Sequence, residues 1–184
     1  MLLMAAVAEE LGDLDGVPVG IGPVASAASA AAALAARRPS AVLLLGTCGA
    51  YPGGPPIGSV VVAERVGLAF GVAAMGLGYV PRAPAPIACS PDLTSAVQGP
   101  RVAVLSCGAV TTDEVLVGRL SDGWQCEHLE SFGVALACRE AGVPFAAVLG
   151  ISNLVGPNAH TEWLSHRESA QRAAREAVLP LVQG

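Results

Sequence analysis

The sequence predicts an α/β protein in which a central, mostly parallel mixed sheet lies between two layers of helices. Short apolar runs that suit buried strands alternate along the chain with longer segments that suit helices. The 184 residues are 53% hydrophobic and only 14% charged, a composition typical of a helix-covered sheet rather than of a disordered chain. Because no linker, repeat or low-complexity segment interrupts the pattern, we expect residues 1–184 to form one domain.

Six apolar runs predict strands, and their nearly continuous apolar character fits parallel strands covered on both faces. These runs are 2–8, 17–21, 41–46, 59–66, 101–107 and 145–151. Three segments predict helices: an Ala-rich one at 24–38, a second at 126–142 and a closing one at 162–183. Gly142 is placed to end the second helix. Residues 67–100 are rich in Gly and Pro, so we expect little regular structure there.

Charge and cysteine usage exclude several classes of function. The net charge is −5 and no basic cluster exceeds the pair Arg37 and Arg38, which argues against nucleic-acid binding. The five cysteines are scattered without a CxxC pair, so we expect core thiols in a reducing cytoplasm and no metal site. The first residues lack the positive region of a signal peptide, and Gly and Pro interrupt every long apolar stretch, so no membrane span is expected.

The low fraction of charged residues also gives an indication about oligomerisation, because it leaves little of the surface strongly solvated. We expect another copy of the chain to cover part of the exterior in a homo-oligomer. The competing explanation is a compositional bias, since all ten basic residues are Arg and Ala fills the predicted helices.

The segment GIGPVA at 20–25 fits the GxGxxA spacing of a dinucleotide-binding loop between a strand and a helix. That loop also needs an acidic residue at the end of the next strand, and the strand here ends LLLGTCGA. A Gly-rich turn at Gly22 that brings the backbone close to a small ligand fits better. No cofactor is therefore expected.

Two further strand ends offer polar groups. Thr47, in LGTCGAY, could present its hydroxyl and nearby backbone N–H groups to a ligand, or could simply occupy a tight turn. Glu10, in AEEL, directly follows the first predicted strand. This Glu could perform general acid/base chemistry or could be one of the acidic residues common at a helix start.

The segment CEHLESFG at 126–133 places Glu127 and Glu130 three residues apart, on one face of the predicted helix. A carboxylate in a pocket can accept two hydrogen bonds from the vicinal diol of a ribose, whereas either Glu alone could also be a solvated helix residue. We expect His128 at the surface or at an interface. Asn153 follows the last strand and could both donate to and accept from a base, or could form a turn.

Taken in order, AAVAEEL, GIGPVASA, LLLGTCGA, IGSVVVAE and CEHLESFGVALACREAGVPFAAVLGISNLVG resemble the nucleoside phosphorylase/nucleosidase superfamily over nearly the whole chain. Many relatives carry Asp, which protonates N7 of the leaving purine, where this chain has Asn153. The Asn, the VGP that follows and Trp163 resemble the futalosine hydrolase branch, whose members release hypoxanthine from futalosine in menaquinone biosynthesis.

The resemblance implies a role for each matching residue. Glu10 would activate or orient the attacking water, Glu130 would bind the ribose hydroxyls, and Leu129 would pack under the sugar. Val110 and Thr111 fall near the segment that lines the base. Trp163 and Phe132 could form further pocket walls.

Two departures from the superfamily pattern affect the predicted reaction. Hexameric phosphorylases carry an Arg for phosphate in the strand before the GTCGA-like segment, about where this chain has Leu44. A buried phosphate dianion needs cationic donors, so we favour water as the nucleophile. The segment between Leu11 and Val17 is also short where relatives carry an extra hairpin. Its absence could open the sugar side of the cleft or remove part of the usual subunit contact.

The predicted function is hydrolysis of the N-glycosidic bond of a purine nucleoside, with futalosine as the favoured substrate. A methylthioadenosine/adenosylhomocysteine nucleosidase and a purine nucleoside phosphorylase remain as alternatives, and so does a protein that binds a nucleoside without turnover.

Overall fold

The computed structural model describes residues 1–182 and shows one α/β domain in which helices flank a mixed sheet. The eight strands are β1 (Leu2–Ala5), β2 (Gly16–Pro18), β3 (Val42–Ala50), β4 (Val60–Leu68), β5 (Ile87–Ala88), β6 (Arg101–Ser106), β7 (Cys126–Glu127) and β8 (Phe145–Leu154). The helices are α1 (Ala8–Leu11), α2 (Pro23–Arg37), α3 (Gly71–Ala74), α4 (Pro91–Ser95), α5 (Glu114–Leu120), α6 (Ser131–Ala141) and α7 (Ala159–Val182). This confirms the predicted fold class.

Five of the strands pair in a closed ring. β3 pairs with β8, β8 with β4, β4 with β6, β6 with β7, and β7 returns to β3. β1 and β2 extend the sheet in parallel from β3, and β5 pairs with β4. Most pairs are parallel, while β3–β7, β4–β5 and β4–β8 are antiparallel. The ring therefore brings the end of β3 next to the short strand β7.

The buried strands present alternate side chains to two helical layers, as the pleat requires. Leu44 belongs to the core under α2 and α6, whereas Leu43 and Leu45 belong to the core under α1 and α7. All three side chains are fully buried. The predicted three-layer arrangement follows directly from this alternation.

Two glycines let helices approach unusually closely. A Cβ on Gly133 in α6 would overlap the Pro23 carbonyl and the Ser26 hydroxyl of α2. A Cβ on Gly150 in β8 would overlap the backbone of Ala170 in α7. Gly133 allows the start of α6 to reach the start of α2, which brings Glu130 close to Gly22.

Most predicted elements are present, with shifted boundaries. The first strand ends at Ala5, the third runs on to Ala50 and the last to Leu154, because pairing in the ring extends β3 and β8. The closing helix begins earlier, at Ala159, and the last predicted residue, 183, lies outside the described residues. Residues 67–100 contain the end of β4 and three short elements, and the helix α5 has no counterpart among the predictions.

The prediction of one helix over 126–142 is wrong in its first part. Cys126 and Glu127 form β7, which pairs antiparallel with β3 and parallel with β6. α6 begins only at Ser131. Glu127 and Glu130 therefore do not share a helix face. Tertiary pairing with two strands outweighs local helical propensity here.

Two further structural findings concern residues 1–182. All five cysteines are buried and free, as expected of core thiols. None of the helices combines the length and the apolar character that crossing a membrane would require.

The close contact at Gly133 leads to a stability prediction. We expect Gly133→Ala to lower the free energy of unfolding by about 1–3 kcal/mol, because the added methyl group overpacks the α2–α6 contact. Urea unfolding followed by circular dichroism measures the effect. Gly118→Ala is the matched control: Gly118 is also helical, but its Cβ would meet nothing within 4 Å, so this variant should be neutral or slightly more stable. Equal effects of the two substitutions would contradict the prediction.

Candidate active site

A cavity of about 410 Å³ lies at the carboxyl ends of the parallel strands β1, β3 and β8. Ligands commonly bind at this edge of an α/β sheet. The acidic and polar side chains that line the cavity come from six separate segments. They are Glu10, Thr47, Thr112, Glu127, His128, Glu130, Ser152, Asn153, His160, Trp163 and Gln171.

Glu10 lies in α1, directly after β1, and only 7% of it is exposed. The Ala6 N–H donates to Oε2 at 3.0 Å and the Thr47 N–H donates to Oε1 at 3.1 Å. One donor directly follows β1 and the other lies within the adjacent strand β3, so together they fix both oxygens of the carboxylate. Its neighbour Glu9 is exposed. Of the two adjacent Glu residues, Glu10 is therefore buried at the cavity, whereas Glu9 is exposed to solvent.

Glu130 immediately precedes α6 and is 4% exposed. Its Oε1 accepts a 2.8 Å hydrogen bond from the Gly22 N–H at the start of α2. Gly22 has a φ of 86°, a left-handed conformation that glycine adopts without steric cost. Gly22 therefore contributes a backbone donor that orients Glu130, although it does not line the cavity itself.

Burial changes the protonation behaviour of both carboxylates. Desolvation raises the pKa of Glu10, and the nearby Glu130 charge raises it further, whereas the backbone hydrogen bonds oppose the rise. Desolvation also raises the pKa of Glu130, against the Gly22 hydrogen bond. A raised pKa makes Glu10 a stronger proton acceptor near neutral pH than an ordinary glutamate.

His128 is buried, with 4% exposure, so the prediction of a surface or interface position is wrong. The residue lies between β7 and α6, where the chain enters the cavity wall. Its Nε2 is 3.3 Å from Oε2 of Glu130. Burial lowers the pKa of His128 to about 4 although the Glu10 charge opposes this, so the ring is neutral at pH 7. Nothing in the sequence indicates that His128 is buried, because the order of polar and apolar residues over 127–130 fits neither a helix nor a strand pattern.

Asn153 lies near the end of β8 and borders the cavity. Its Nδ2 is 3.0 Å from the Leu154 carbonyl oxygen, which can only accept, and its Oδ1 accepts from the Ser152 hydroxyl at 2.9 Å. These partners fix the orientation of the amide. One N–H of Nδ2 and one lone pair of Oδ1 remain for a ligand.

Glu127 anchors the segment that forms the opposite wall. Its carboxylate accepts hydrogen bonds from the Thr111 N–H at 2.9 Å, the Thr111 hydroxyl at 2.6 Å and the Tyr51 hydroxyl at 3.0 Å. Burial and the Glu127 charge raise the pKa of Tyr51, so the phenol keeps the proton that it donates. Glu127 thus holds the loop around Val110 in place.

Trp163 closes another side of the cavity. Its indole N–H donates to the Thr47 hydroxyl at 3.2 Å, and its ring stacks on His160 with centroids 5.9 Å apart. The Arg167 guanidinium lies 4.9 Å from the Trp163 ring centroid on the same helix. The Thr47 backbone that holds Glu10 is therefore itself tied to α7.

The structure brings most of the predicted site residues together. Glu10, Thr47, Val110, Leu129, Glu130, Asn153 and Trp163 all line the cavity. Thr111 does not line it and instead bonds to Glu127, while Phe132 borders a second cavity. The sequence interpretation missed the positions of His128, Ser152 and His160, which carry no motif of their own.

The second cavity is an apolar groove of about 1000 Å³ between α2 and α6 on one side and α3 and α5 on the other. Val110 and Thr112 border both cavities, so the groove adjoins the polar site. Among residues 1–182, no three His, Cys, Asp or Glu side chains are grouped so that they could hold a metal ion.

Comparison of the sequence with known families identifies the class of protein. The sequence profile of the phosphorylase superfamily matches residues 14–183. The chain therefore belongs to the phosphorylase superfamily, which confirms the resemblance inferred from its motifs.

Individual proteins with known activities are similar to this chain over most of its length. The chain is 36% identical to the futalosine hydrolase of Thermus thermophilus, over 85% of this chain and 76% of that protein. It is 31% identical to the futalosine hydrolase of Streptomyces coelicolor, over 81% of this chain and 71% of that protein. The solved structure of a futalosine hydrolase mutant of Helicobacter pylori superposes with a TM-score of 0.86 at 18% identity, covering 98% and 97% of the two chains. At that identity, the structural match shows the shared fold.

Proposed function

We propose that this protein hydrolyses the N-glycosidic bond of a purine nucleoside, and that its substrate is futalosine. The observation that carries the proposal is the pair of buried carboxylates, Glu10 and Glu130, each held by N–H donors at one edge of the sheet. The two futalosine hydrolases that the chain matches at 36% and 31% identity support the choice of substrate. The products would be hypoxanthine and dehypoxanthine futalosine, which places the protein in menaquinone biosynthesis.

Glu10 and Glu130 have complementary tasks in this reaction. Cleavage passes through an oxocarbenium-like state, in which positive charge develops on the sugar while the base leaves. Glu130 accepts hydrogen bonds from the ribose hydroxyls and so fixes the position of the sugar. Glu10 accepts a proton from water as the water oxygen bonds to the anomeric carbon. The negative charge of both carboxylates also stabilises the positive sugar.

Asn153 contacts the leaving base. Its free Nδ2–H can donate to a ring nitrogen of the purine as negative charge accumulates there. An amide cannot transfer a full proton, unlike a carboxylic acid. Hypoxanthine carries a 6-oxo group and leaves more readily than adenine, so it departs as an anion that the Asn153 hydrogen bond stabilises. The anion then takes up a proton from solvent water, and Glu10 returns its proton to solvent. Leu129 packs under the sugar, Thr47 holds Glu10, and the Val110–Thr111 segment borders the base.

Water fits the cavity better than phosphate as the nucleophile. Three carboxylates, from Glu10, Glu127 and Glu130, line the cavity, and no Arg does so among residues 1–182. A phosphate dianion would be repelled there and would lack the cationic donors that it needs. The fully buried Leu44 lies in β3, in the strand where phosphorylases carry their Arg.

A base-release assay tests the proposed function. The protein is incubated with futalosine, methylthioadenosine, adenosylhomocysteine and inosine, with and without phosphate, and free base is measured. We expect hypoxanthine release from futalosine at a rate that phosphate does not change. Release only in the presence of phosphate would indicate a phosphorylase, preference for methylthioadenosine would indicate the adenine-type nucleosidase, and retention without release would indicate a binding protein.

The role of Glu10 leads to a prediction about turnover. We expect Glu10→Gln to lower kcat by roughly 10²- to 10⁴-fold, because the amide cannot accept a proton. The side chain would also lose a hydrogen bond, since the N–H groups of both Ala6 and Thr47 need an acceptor. Glu9→Gln is the control, because Glu9 is adjacent but exposed, and it should retain wild-type kcat. Comparable losses in both variants would show that Glu10 is only a helix-start acid.

The raised pKa of Glu10 predicts an acid limit to activity. Glu10 must be ionised to accept a proton, so activity falls as pH drops through its raised pKa. We therefore expect the acidic limb of kcat to have its midpoint above the ordinary glutamate value of 4.5. His128, with a pKa of about 4, is mostly neutral from pH 5 upwards. A kcat profile between pH 4 and 9 measures the midpoint, and a value at or below 4.5 would contradict this assignment.

The amide at position 153 predicts a change in base preference. In Asn153→Asp, the introduced carboxyl group can be protonated, and its proton can pass to the leaving base as negative charge develops there, which the amide does not allow. We expect the ratio of kcat/KM for methylthioadenosine to that for futalosine to rise at least about 10-fold. Asn158→Asp, in the exposed part of the same loop, should leave the ratio unchanged. An unchanged ratio in Asn153→Asp would show that the amide does not discriminate between bases.

We also propose that the protein is a cytoplasmic homo-oligomer. The five free, buried thiols are consistent with a reducing compartment. The exposed apolar side chains of Val24, Phe70 and Val72 along the groove support a contact with another copy. Light scattering of the purified protein gives its mass in solution.

A further inference from the structure

His128 lies between the two carboxylates that the proposed reaction requires. A Cβ placed on Gly46 would be 3.0 Å from Nε2 of His128 and 3.2 Å from Oε1 of Glu10. The imidazole edge and the Glu10 carboxylate therefore converge on the same point of β3. On its other side, Nε2 lies 3.3 Å from Oε2 of Glu130. The ring is buried, yet it also lines the cavity.

The start of α6 determines the tautomer of this ring. Nδ1 is 3.1 Å from the Ser131 backbone nitrogen and 3.4 Å from the Glu130 backbone nitrogen, and both N–H groups can only donate. Nδ1 must therefore be an unprotonated acceptor. The Ser131 hydroxyl adds a third contact at 2.8 Å. In the neutral ring the proton consequently resides on Nε2, the nitrogen that faces Glu130.

We propose that His128 is a positioning residue that orients Glu130 for the sugar hydroxyls. The Nε2–H is placed to donate to Oε2 of Glu130, while the Gly22 N–H donates to Oε1. Each carboxylate oxygen then has one donor from the protein and one lone pair left for a hydroxyl of a vicinal diol. The inference rests on the proposed function insofar as that diol belongs to the ribose of a nucleoside.

A neutral donor at this position also reduces the mutual repulsion of the carboxylates. The Glu130 charge raises the pKa of Glu10. Two ionised carboxylates in a desolvated cavity repel each other strongly. The Nε2–H dipole, 3.3 Å from Oε2 of Glu130, stabilises the Glu130 charge and so lets this residue remain ionised beside Glu10. Glu130 can then accept from both hydroxyls of the diol.

The test compares a nucleoside that has the diol with one that lacks it. Affinities for inosine and 2′-deoxyinosine are measured by calorimetry in the Glu10→Gln background, in which turnover is suppressed. Adding His128→Leu should weaken inosine binding by about 10- to 100-fold, because Glu130 loses its donor. The same change should weaken 2′-deoxyinosine binding much less. His128→Gln should restore the preference for inosine, since the Gln amide can replace the Nε2–H.

Controls separate positioning from packing. His166→Leu replaces a half-buried histidine of α7 that does not line the cavity, and it should change neither affinity. Circular dichroism checks that each variant is folded. A purely structural role of His128 would weaken binding of both nucleosides equally, and that result would overturn the proposal. So would a Gln variant no better than the Leu variant, or a protein that binds neither nucleoside.

A second measurement does not depend on nucleoside chemistry. Nitrogen-15 chemical shifts of the His128 ring should show a protonated Nε2 and an unprotonated Nδ1 from pH 7 down to pH 5. A proton on Nδ1, or a charged ring at pH 6, would overturn the proposal whatever the affinities. Failure of the proposed reaction is seen separately, as the absence of base release from futalosine by the wild-type protein.

Discussion

The candidate site depends on how two buried carboxylates are kept in place. Each charge loses hydration on burial and is tolerated only if polar groups replace the lost water. Backbone N–H groups at strand ends do this for Glu10, and the N–H groups of Gly22 and His128 do it for Glu130. Because Thr47 lies far from Glu10 in the chain, and Gly22 far from Glu130, the carboxylates are correctly oriented only in the complete fold. The same burial raises the pKa of both groups and prepares Glu10 to accept a proton.

The supporting structure is built from close backbone approaches and a ring of strands. Gly133 lets α6 contact α2, which brings Glu130 within reach of the Gly22 N–H. The pairing of β7 with β3 places Glu127 beside Tyr51, where it accepts bonds that hold the Thr111 segment. Glutamates separated by two residues thus have different tasks. Glu127 stabilises a wall of the cavity, whereas Glu130 faces the proposed sugar position.

The chemistry of the cavity follows from its balance of charge. Several carboxylates around one sugar position stabilise a positive sugar and disfavour an anionic nucleophile. On the side of the base, an oriented amide offers a hydrogen bond rather than a proton. Both features agree with hydrolysis of a nucleoside whose base is a good leaving group. The relationship to futalosine hydrolases supports the same reaction.

The sequence by itself determined the fold class, the order of the main strands and helices, the family and seven of the residues that line the cavity. These depend on apolar periodicity, on strand ends and on an ordered set of motifs, all of which are local. Tertiary structure decided that Cys126 and Glu127 form a strand, because two neighbouring strands pair with them. It also decided the burial of His128 and its tautomer, since the start of α6 supplies the donors to Nδ1. In GISNLVGPNAHTEW the sequence predicted a polar contact at Asn153, whereas only the Leu154 carbonyl and the Ser152 hydroxyl established which way the amide faces.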